Sequence, residues 1–351
     1  MKPRYELCIE IGDIPILVHT DSAEFAGMLQ DRYGKFVVGR RAAGDPNGET
    51  PGCGEQRGAQ HDSESAFGPP STPCRVSDFQ FPVSRFELEV ELLPPGMMSD
   101  AEEARVRLEG GRWLMERGDF RAEWDPESHR GWVRQSANPY SIDAVLRMLH
   151  TLILAREGGF LVHAASAVRN GRAFLFAGVS GAGKTTISRL APPDVLLLTD
   201  EISYVRKDRS QDSGVRSQNA EVGKQRVESR QRDDDRKDIA LDAAPLTPGT
   251  WSLTPAFVAY GTPFAGELAR IGENLRAPIA ALYLLVQGPE NSIEDVSQAQ
   301  AVRSLLQNIL FFADDNELVQ MVFQAALEFA KCVPVRRLVF APDARVWDLI
   351  G

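Results

Sequence analysis

The sequence predicts an α/β protein, with a smaller β-rich domain ahead of a larger domain built around a phosphate-binding loop. Three observations carry that reading. Short alternating strands separated by turns fill residues 1–137. An apolar strand, a glycine loop and a helix start follow one another at residues 173–190. From there to residue 351, strand-like and helix-like segments alternate. A length of 351 residues accommodates two domains, and 43% hydrophobic residues supply a core.

In the first domain, Tyr5 to Ile9 and Ile14 to His19 read as strands about a Gly12-Asp13 turn, and Phe25 to Leu29 as a short helix. Residues 41–77 are rich in Gly, Pro, Ser, Asp and Gln; too little apolar surface is present to offset ordering entropy, so the stretch reads as a disordered insertion. Alternation resumes at Phe79 to Pro82, Arg85 to Leu93, Ala104 to Leu108, Gly111 to Met115, Phe120 to Trp124 and Gly131 to Arg134. Strands this short, with frequent turns, predict a small antiparallel sheet.

The second domain, 138–351, opens near Asn138-Pro139. Ile142, Val145, Leu146, Leu149, Leu152 and Ile153 space an apolar helix face, with Ser141 as its expected N-cap and Gly158-Gly159 as its stop. Asn170-Gly171 between the apolar runs Phe160–Val168 and Ala173–Ala177 predicts a tight hairpin. A strand is expected at Val195 to Leu198. Residues 207–238, charged and polar with mixed sign, read as a second solvated insertion. Ile279 to Val286 and Arg337 to Phe340 read as strands, and Val302 to Phe312 and Leu318 to Cys332 as apolar-faced helices.

The chemistry centres on residues 178–185, Gly178-Val179-Ser180-Gly181-Ala182-Gly183-Lys184-Thr185, which complete the pattern G-x-x-x-x-G-K-[ST]. In such a loop backbone N–H groups cradle phosphates, the Lys reaches the β- and γ-phosphates and the Ser/Thr hydroxyl binds Mg²⁺. Phosphoryl transfer also needs a carboxylate near the metal. The next apolar strand ends in Thr199-Asp200-Glu201, sixteen residues past Lys184, which places an acidic pair at the strand's carboxyl end. The alternative reading of Asp200 is a helix-capping residue at a loop start. The Tyr260–Glu267 stretch is polar and glycine-containing between apolar segments. It reads either as a plain turn or as a loop over the site, with Glu267 as a second metal or acceptor contact.

The strand Phe160-Leu161-Val162-His163-Ala164-Ala165-Ser166, the hairpin, the phosphate loop and the close acidic pair together resemble the catalytic domain of HPr kinase/phosphorylase. The loop, continued through Thr186, is similar to that of ATP-dependent phosphoenolpyruvate carboxykinase, whose nucleotide core is related. The resemblance covers residues 140–205. It implies a P-loop kinase domain of that type, with ATP phosphates at Gly178 to Thr186 and Mg²⁺ at Thr185. Asp200, in the place of the family's first acid, would be close to the metal and act as base toward the acceptor hydroxyl. Glu201 takes the second acid's place, where the family usually has Asp. His163 matches the family's histidine near the site; a packed strand histidine reads equally from the residues alone. The family's glycine-rich stretch after the acidic pair is not found, and the charged insertion stands there instead. The chain is also short for a carboxykinase. It looks most like the HPr-kinase-related proteins, some of which accompany peptide-modification gene clusters.

These features lead to an expected activity: transfer of the ATP γ-phosphoryl group to a hydroxyl of a protein (a serine above all), a peptide or a small molecule. A non-catalytic ATP sensor that recruits a partner through the β-rich domain is the alternative. A net charge of −10 argues against nucleic-acid binding. No apolar run reaches membrane-spanning length, and the N-terminal residues lack the apolar core of a signal peptide, so a cytoplasmic protein is expected. Cys8, Cys53, Cys74 and Cys332 show no metal spacing and read as free thiols. No Asn-Lys-x-Asp guanine motif is present, which favours ATP. A homo-oligomer stays open.

Overall fold

Alternation along the first 135 residues builds one eight-stranded sheet. The computed structural model describes residues 4–42, 86–94, 103–208, 257–268 and 270–351. The strands are β1 (Tyr5–Ile11), β2 (Ile14–Thr20), β3 (Val37–Ala42), β4 (Phe86–Leu92), β5 (Arg105–Glu109), β6 (Arg112–Arg117), β7 (Phe120–Asp125) and β8 (Arg130–Gln135), in the order β3-β1-β2-β4-β8-β7-β6-β5. The sheet is mixed rather than antiparallel, because β4 runs parallel to both β2 and β8. Alternation records which side chains face the core, and that record is the same for either strand direction. A parallel partner needs a crossover of a dozen residues or more, and β4 enters after residues 43–85. The predicted insertion at 41–77 and the expected strand at Phe79–Pro82 lie outside the described residues, apart from residues 41 and 42, which end β3.

Helix α1 (Ala23–Tyr33) is longer than predicted. Ser22 caps it by accepting from the Phe25 N–H. Helix α2 (Pro139–Glu157) is capped by Asn138, not Ser141: Asn138 Oδ1 accepts from the N–H groups of Tyr140 (2.9 Å) and Ser141 (3.0 Å), with Pro139 at the first turn. The Ser141 hydroxyl donates instead to Asp119 (2.6 Å). Gly158, at φ 74°, closes the helix in the left-handed conformation.

The second half is also α/β. After α2 come β9 (Phe160–Arg169), β10 (Arg172–Ala177), α3 (Lys184–Arg189), β11 (Leu196–Thr199), β12 (Ile202–Lys207) and β13 (Phe257–Tyr260). They are followed by β14 (Arg276–Gln287), β15 (Ser292–Asp295), α4 (Gln298–Asn308), β16 (Ile309–Leu310), α5 (Asn316–Cys332) and β17 (Val335–Phe340). The helix expected over Val302–Phe312 starts earlier and gives way to β16, which pairs with β9. The predicted insertion at 207–238 lies outside the described residues beyond Asp208.

Long strands β9 and β14 organise this half. The Asn170-Gly171 turn joins β9 to β10 with positive φ at both residues, as the dipeptide predicts. The first half of β9 pairs with β12, and its second half lies between β10 and β11, antiparallel to both. β10 also pairs in parallel with β14, which continues to β13 and β17. β10 and β11 therefore run the same way on either side of β9, and their carboxyl ends emerge together.

Helix α2 is buried on nearly every side, and one apolar cluster runs from Leu7 and Val133 through Leu146 and Leu149 to Leu161 and Tyr204. The β1–β2 turn docks on the second half. Gly12 lies against the Tyr204 ring, closer than any side chain would permit, and its carbonyl accepts from Arg206 (2.8 Å). Asp13 accepts from the Tyr260 hydroxyl (2.8 Å) and from Arg276 (2.7 Å). Cys8 is a buried thiol and Cys332 a partly buried one, with no disulfide between them. Cys53 and Cys74 lie outside the described residues. Among the described residues, no helix is long and apolar enough to cross a membrane.

Candidate functional site

The register of β9 assembles the site. Ala164 pairs with Ala177, the last residue before the glycine loop, and Ser166 pairs with Thr199, the last before Asp200. His163 lies opposite Ile202, just past Glu201. One strand thus sets loop, acidic pair and histidine around a cleft of about 260 Å³.

The loop's glycines are demanded by its shape. Gly181 (φ 79°) and Gly183 (φ 111°) occupy left-handed backbone that other residues avoid. A Cβ on Gly178 would stand 2.6 Å from Ala182 Cβ, and one on Gly183 would enter the Phe340 ring at the end of β17. Gln287, at the end of β14, donates to the Gly181 carbonyl (2.7 Å). Ser180, Gly181, Gly183, Lys184, Thr185 and Thr186 line the cleft. Gly178 and Ala182 form the base of the loop, and Val179 points outward, 77% exposed. We expect Gly183→Ala to leave the fold intact but lower the affinity of the loop for Mg·ATP at least tenfold, about 1.4 kcal/mol or more, because backbone strain and the Phe340 clash act together. Titration calorimetry checks this; unchanged affinity would mean the loop tolerates a side chain there.

Buried Lys184 donates from Nζ to the carbonyls of Gly178 (2.9 Å) and Val179 (3.4 Å). Burial lowers its pKa, opposed by Glu201 and Glu267. Thr185 Oγ1 donates to Glu267 Oε2 (3.2 Å). Asp200 is 3% exposed, and its two carboxylate oxygens accept from the N–H groups of Gly266 and Leu268, each at 2.9 Å. The Tyr260–Glu267 stretch is therefore a loop over the site and not a free turn. Its other anchors are Thr262, bonded to Leu198 and Ile202, and buried Phe264, whose carbonyl accepts from Thr199 Oγ1 (3.4 Å).

Glu201 faces the cleft. Burial raises its pKa; Arg147 pulls it back down, and Asp200 adds to the rise. Arg147 comes from α2, with its guanidinium over the Phe264 ring (5.0 Å), 4.0 Å from Glu201 Oε2. His163 is partly buried; burial, then Lys184, then Arg147 lower its pKa, which favours the neutral imidazole. Sequence reasoning missed Arg147, Phe264, Gln287 and Phe340. A signal existed only for Arg147, a charge set inside the apolar run Val145-Leu146-Arg147-Met148-Leu149.

Among the described residues, no cluster of three His, Cys, Asp or Glu side chains is placed to hold a metal unaided. Thr185 and Glu267 do set two oxygens side by side, with the Asp200 carboxylate behind the same loop. That donor set fits Mg²⁺, which is commonly held by one or two carboxylates together with substrate phosphates. No family model matches the chain, and no curated protein matches it.

Proposed function

We propose that the protein is an ATP-dependent kinase, with a P-loop domain of the HPr kinase/phosphorylase type, that transfers the γ-phosphoryl group to a hydroxyl. The observation that carries the reading is the convergence of Lys184, Thr185, Asp200, Glu201, Glu267 and His163 on the one cleft floored by the glycine loop. A loop alone binds phosphate; a loop facing carboxylates can also orient and deprotonate an acceptor. Lys184 would exchange its two carbonyl partners for the β- and γ-phosphates. Thr185 and Glu267 would hold Mg²⁺, with the Asp200 carboxylate close behind them on the loop that carries Glu267; the metal, when bound, would neutralise charge between those phosphates. Neutral His163 would contribute a hydrogen bond beside the transferred group. Most of the catalytic effect would come from positioning and charge, as is usual for this reaction.

The acceptor is a protein, peptide or small-molecule hydroxyl; the negative net charge gives no support to a nucleic-acid partner. The test is γ-labelled ATP with Mg²⁺, offered with serine-containing peptides and proteins encoded beside the gene and with hydroxylated metabolites. Label in an acid-stable ester supports the kinase. Tight Mg·ATP binding without label in any acceptor or in free phosphate favours the sensor, which one observation supports: Lys184 and Asp200 both have backbone partners already. Absence of nucleotide binding rejects both.

A further inference from the structure

The two adjacent acids differ in how they are held, and the difference bears on which of them does chemistry. Asp200 is enclosed, and each of its oxygens already accepts a backbone N–H from the loop that carries Glu267. A carboxylate held by two such bonds is fixed in place: Asp200 borders the cleft with both of its oxygens already engaged. Among the described residues, Glu201 has no comparable anchor. Its oxygens face the cleft, and its nearest cation, Arg147, stands 4.0 Å away, beyond a good hydrogen bond. Gly266 packs so closely beneath the pair that a Cβ there would stand 2.8 Å from Glu201 Cβ. The loop therefore packs along the Glu201 side chain, the same Cβ standing 3.3 Å from Glu201 Cδ, and among the described residues it gives the carboxylate oxygens no hydrogen bond.

Resting on the kinase reading, we propose that Glu201 is the base that takes the acceptor's proton, and that Asp200 is a positioning residue that pins the 263–268 loop so that Glu267 meets Thr185. In the step, the acceptor O–H proton passes to a Glu201 oxygen as the acceptor oxygen bonds the γ-phosphorus. The bond from that phosphorus to the bridging oxygen breaks, and its electron pair leaves with ADP. With water as acceptor, the same step yields inorganic phosphate. Arg147 bounds the Glu201 carboxylate on the α2 side, and Lys184 would exchange the Gly178 and Val179 carbonyls for the phosphates once nucleotide binds.

Two readouts separate the roles, both on the full chain. The first is hydrogen exchange at Gly266 and Leu268 without ligand. Asp200→Asn presents an NH₂ group to one of the two N–H donors, so exchange there should accelerate at least tenfold; Glu201→Gln should leave it unchanged. The second uses Mg·ATP with water as the simplest acceptor and measures phosphate release. Glu201→Gln should lower the maximal rate 10²- to 10⁴-fold with ATP affinity retained, the range for a lost general base. Asp200→Asn should chiefly raise the Mg²⁺ concentration needed for half-maximal rate, because Glu267 is no longer held. The proposal is overturned by a Glu201→Gln protein at wild-type rate, by Asp200→Asn exchange as slow as wild type, or by wild-type protein that binds Mg·ATP and releases no phosphate. Wild-type protein that binds no Mg·ATP in calorimetry overturns the kinase reading itself, and the exchange readout still decides the role of Asp200.

Discussion

Lys184→Ala is expected to lower phosphoryl transfer from Mg·ATP by 10²- to 10³-fold, about 2.7–4 kcal/mol, the scale for removing one preorganised charge-stabilising group from a reaction centre. The structure gives reasons for expecting the loss to fall on ligand and rate, and not on folding. Lys184 is the cation at the mouth of the glycine loop, and its Nζ occupies the loop's concavity by bonding Gly178 and Val179. Burial already disfavours its charge, so the ammonium gains on leaving those carbonyls for a phosphate. The loop keeps its form without the amine, since its shape is set by Gly181, Gly183, the Phe340 contact and the Gln287 bond. The variant should therefore unfold within about 1 kcal/mol of wild type, while calorimetry shows Mg·ATP affinity falling with the rate. A Lys184→Ala protein with full affinity would show that nucleotide binds elsewhere.

Much of this arrangement is legible in the sequence alone, for a physical reason. The phosphate loop is a local feature: its glycines answer to backbone torsions, and its Lys and Thr follow at fixed spacing. The Asn170-Gly171 hairpin is local in the same sense. What stayed hidden is what one segment does to another far along the chain. Alternation in residues 86–92 showed a half-buried strand but not its parallel partners. The Asn-Pro start of α2 outweighed Ser141, because Asn138 caps the helix while proline fits its first turn. The expectation of Asp200 as an active-site acid rested on its place at a strand end. That its oxygens are taken by Gly266 and Leu268, more than sixty residues on, has no signature in Thr199-Asp200-Glu201. The contribution of Arg147 depends on α2 crossing both halves of the molecule, and periodicity alone describes that helix as apolar.

Lowering the pH from 7.5 to 5 should cost the fold about 2 kcal/mol through a single buried histidine. His150 sits on α2 with no exposed surface; its Nδ1 lies 3.2 Å from the Tyr204 hydroxyl, and its Nε2 has no hydrogen-bond partner among the described residues. Burial, with a smaller push from the Arg206 charge, lowers its pKa from 6.5 to about 3. Between those two values the unfolded chain binds a proton that the folded chain refuses, so stability falls as pH drops below 6.5 and levels only near pH 3. At pH 5 the gap from 6.5 is 1.5 units, which gives the figure above. The loss falls on the seam between the two halves: the Tyr204 ring that meets His150 edge-on also lies against Gly12, and Arg206 bonds the Gly12 carbonyl. Denaturant unfolding at pH 7.5 and 5 should show this acid loss in wild type. His150→Asn, which keeps a polar group near Tyr204 but cannot titrate, should show about 2 kcal/mol less of it. Carboxylates elsewhere titrate alike in both proteins and cancel in the comparison. Equal acid loss in the two would mean that His150 is not the group that charges on unfolding.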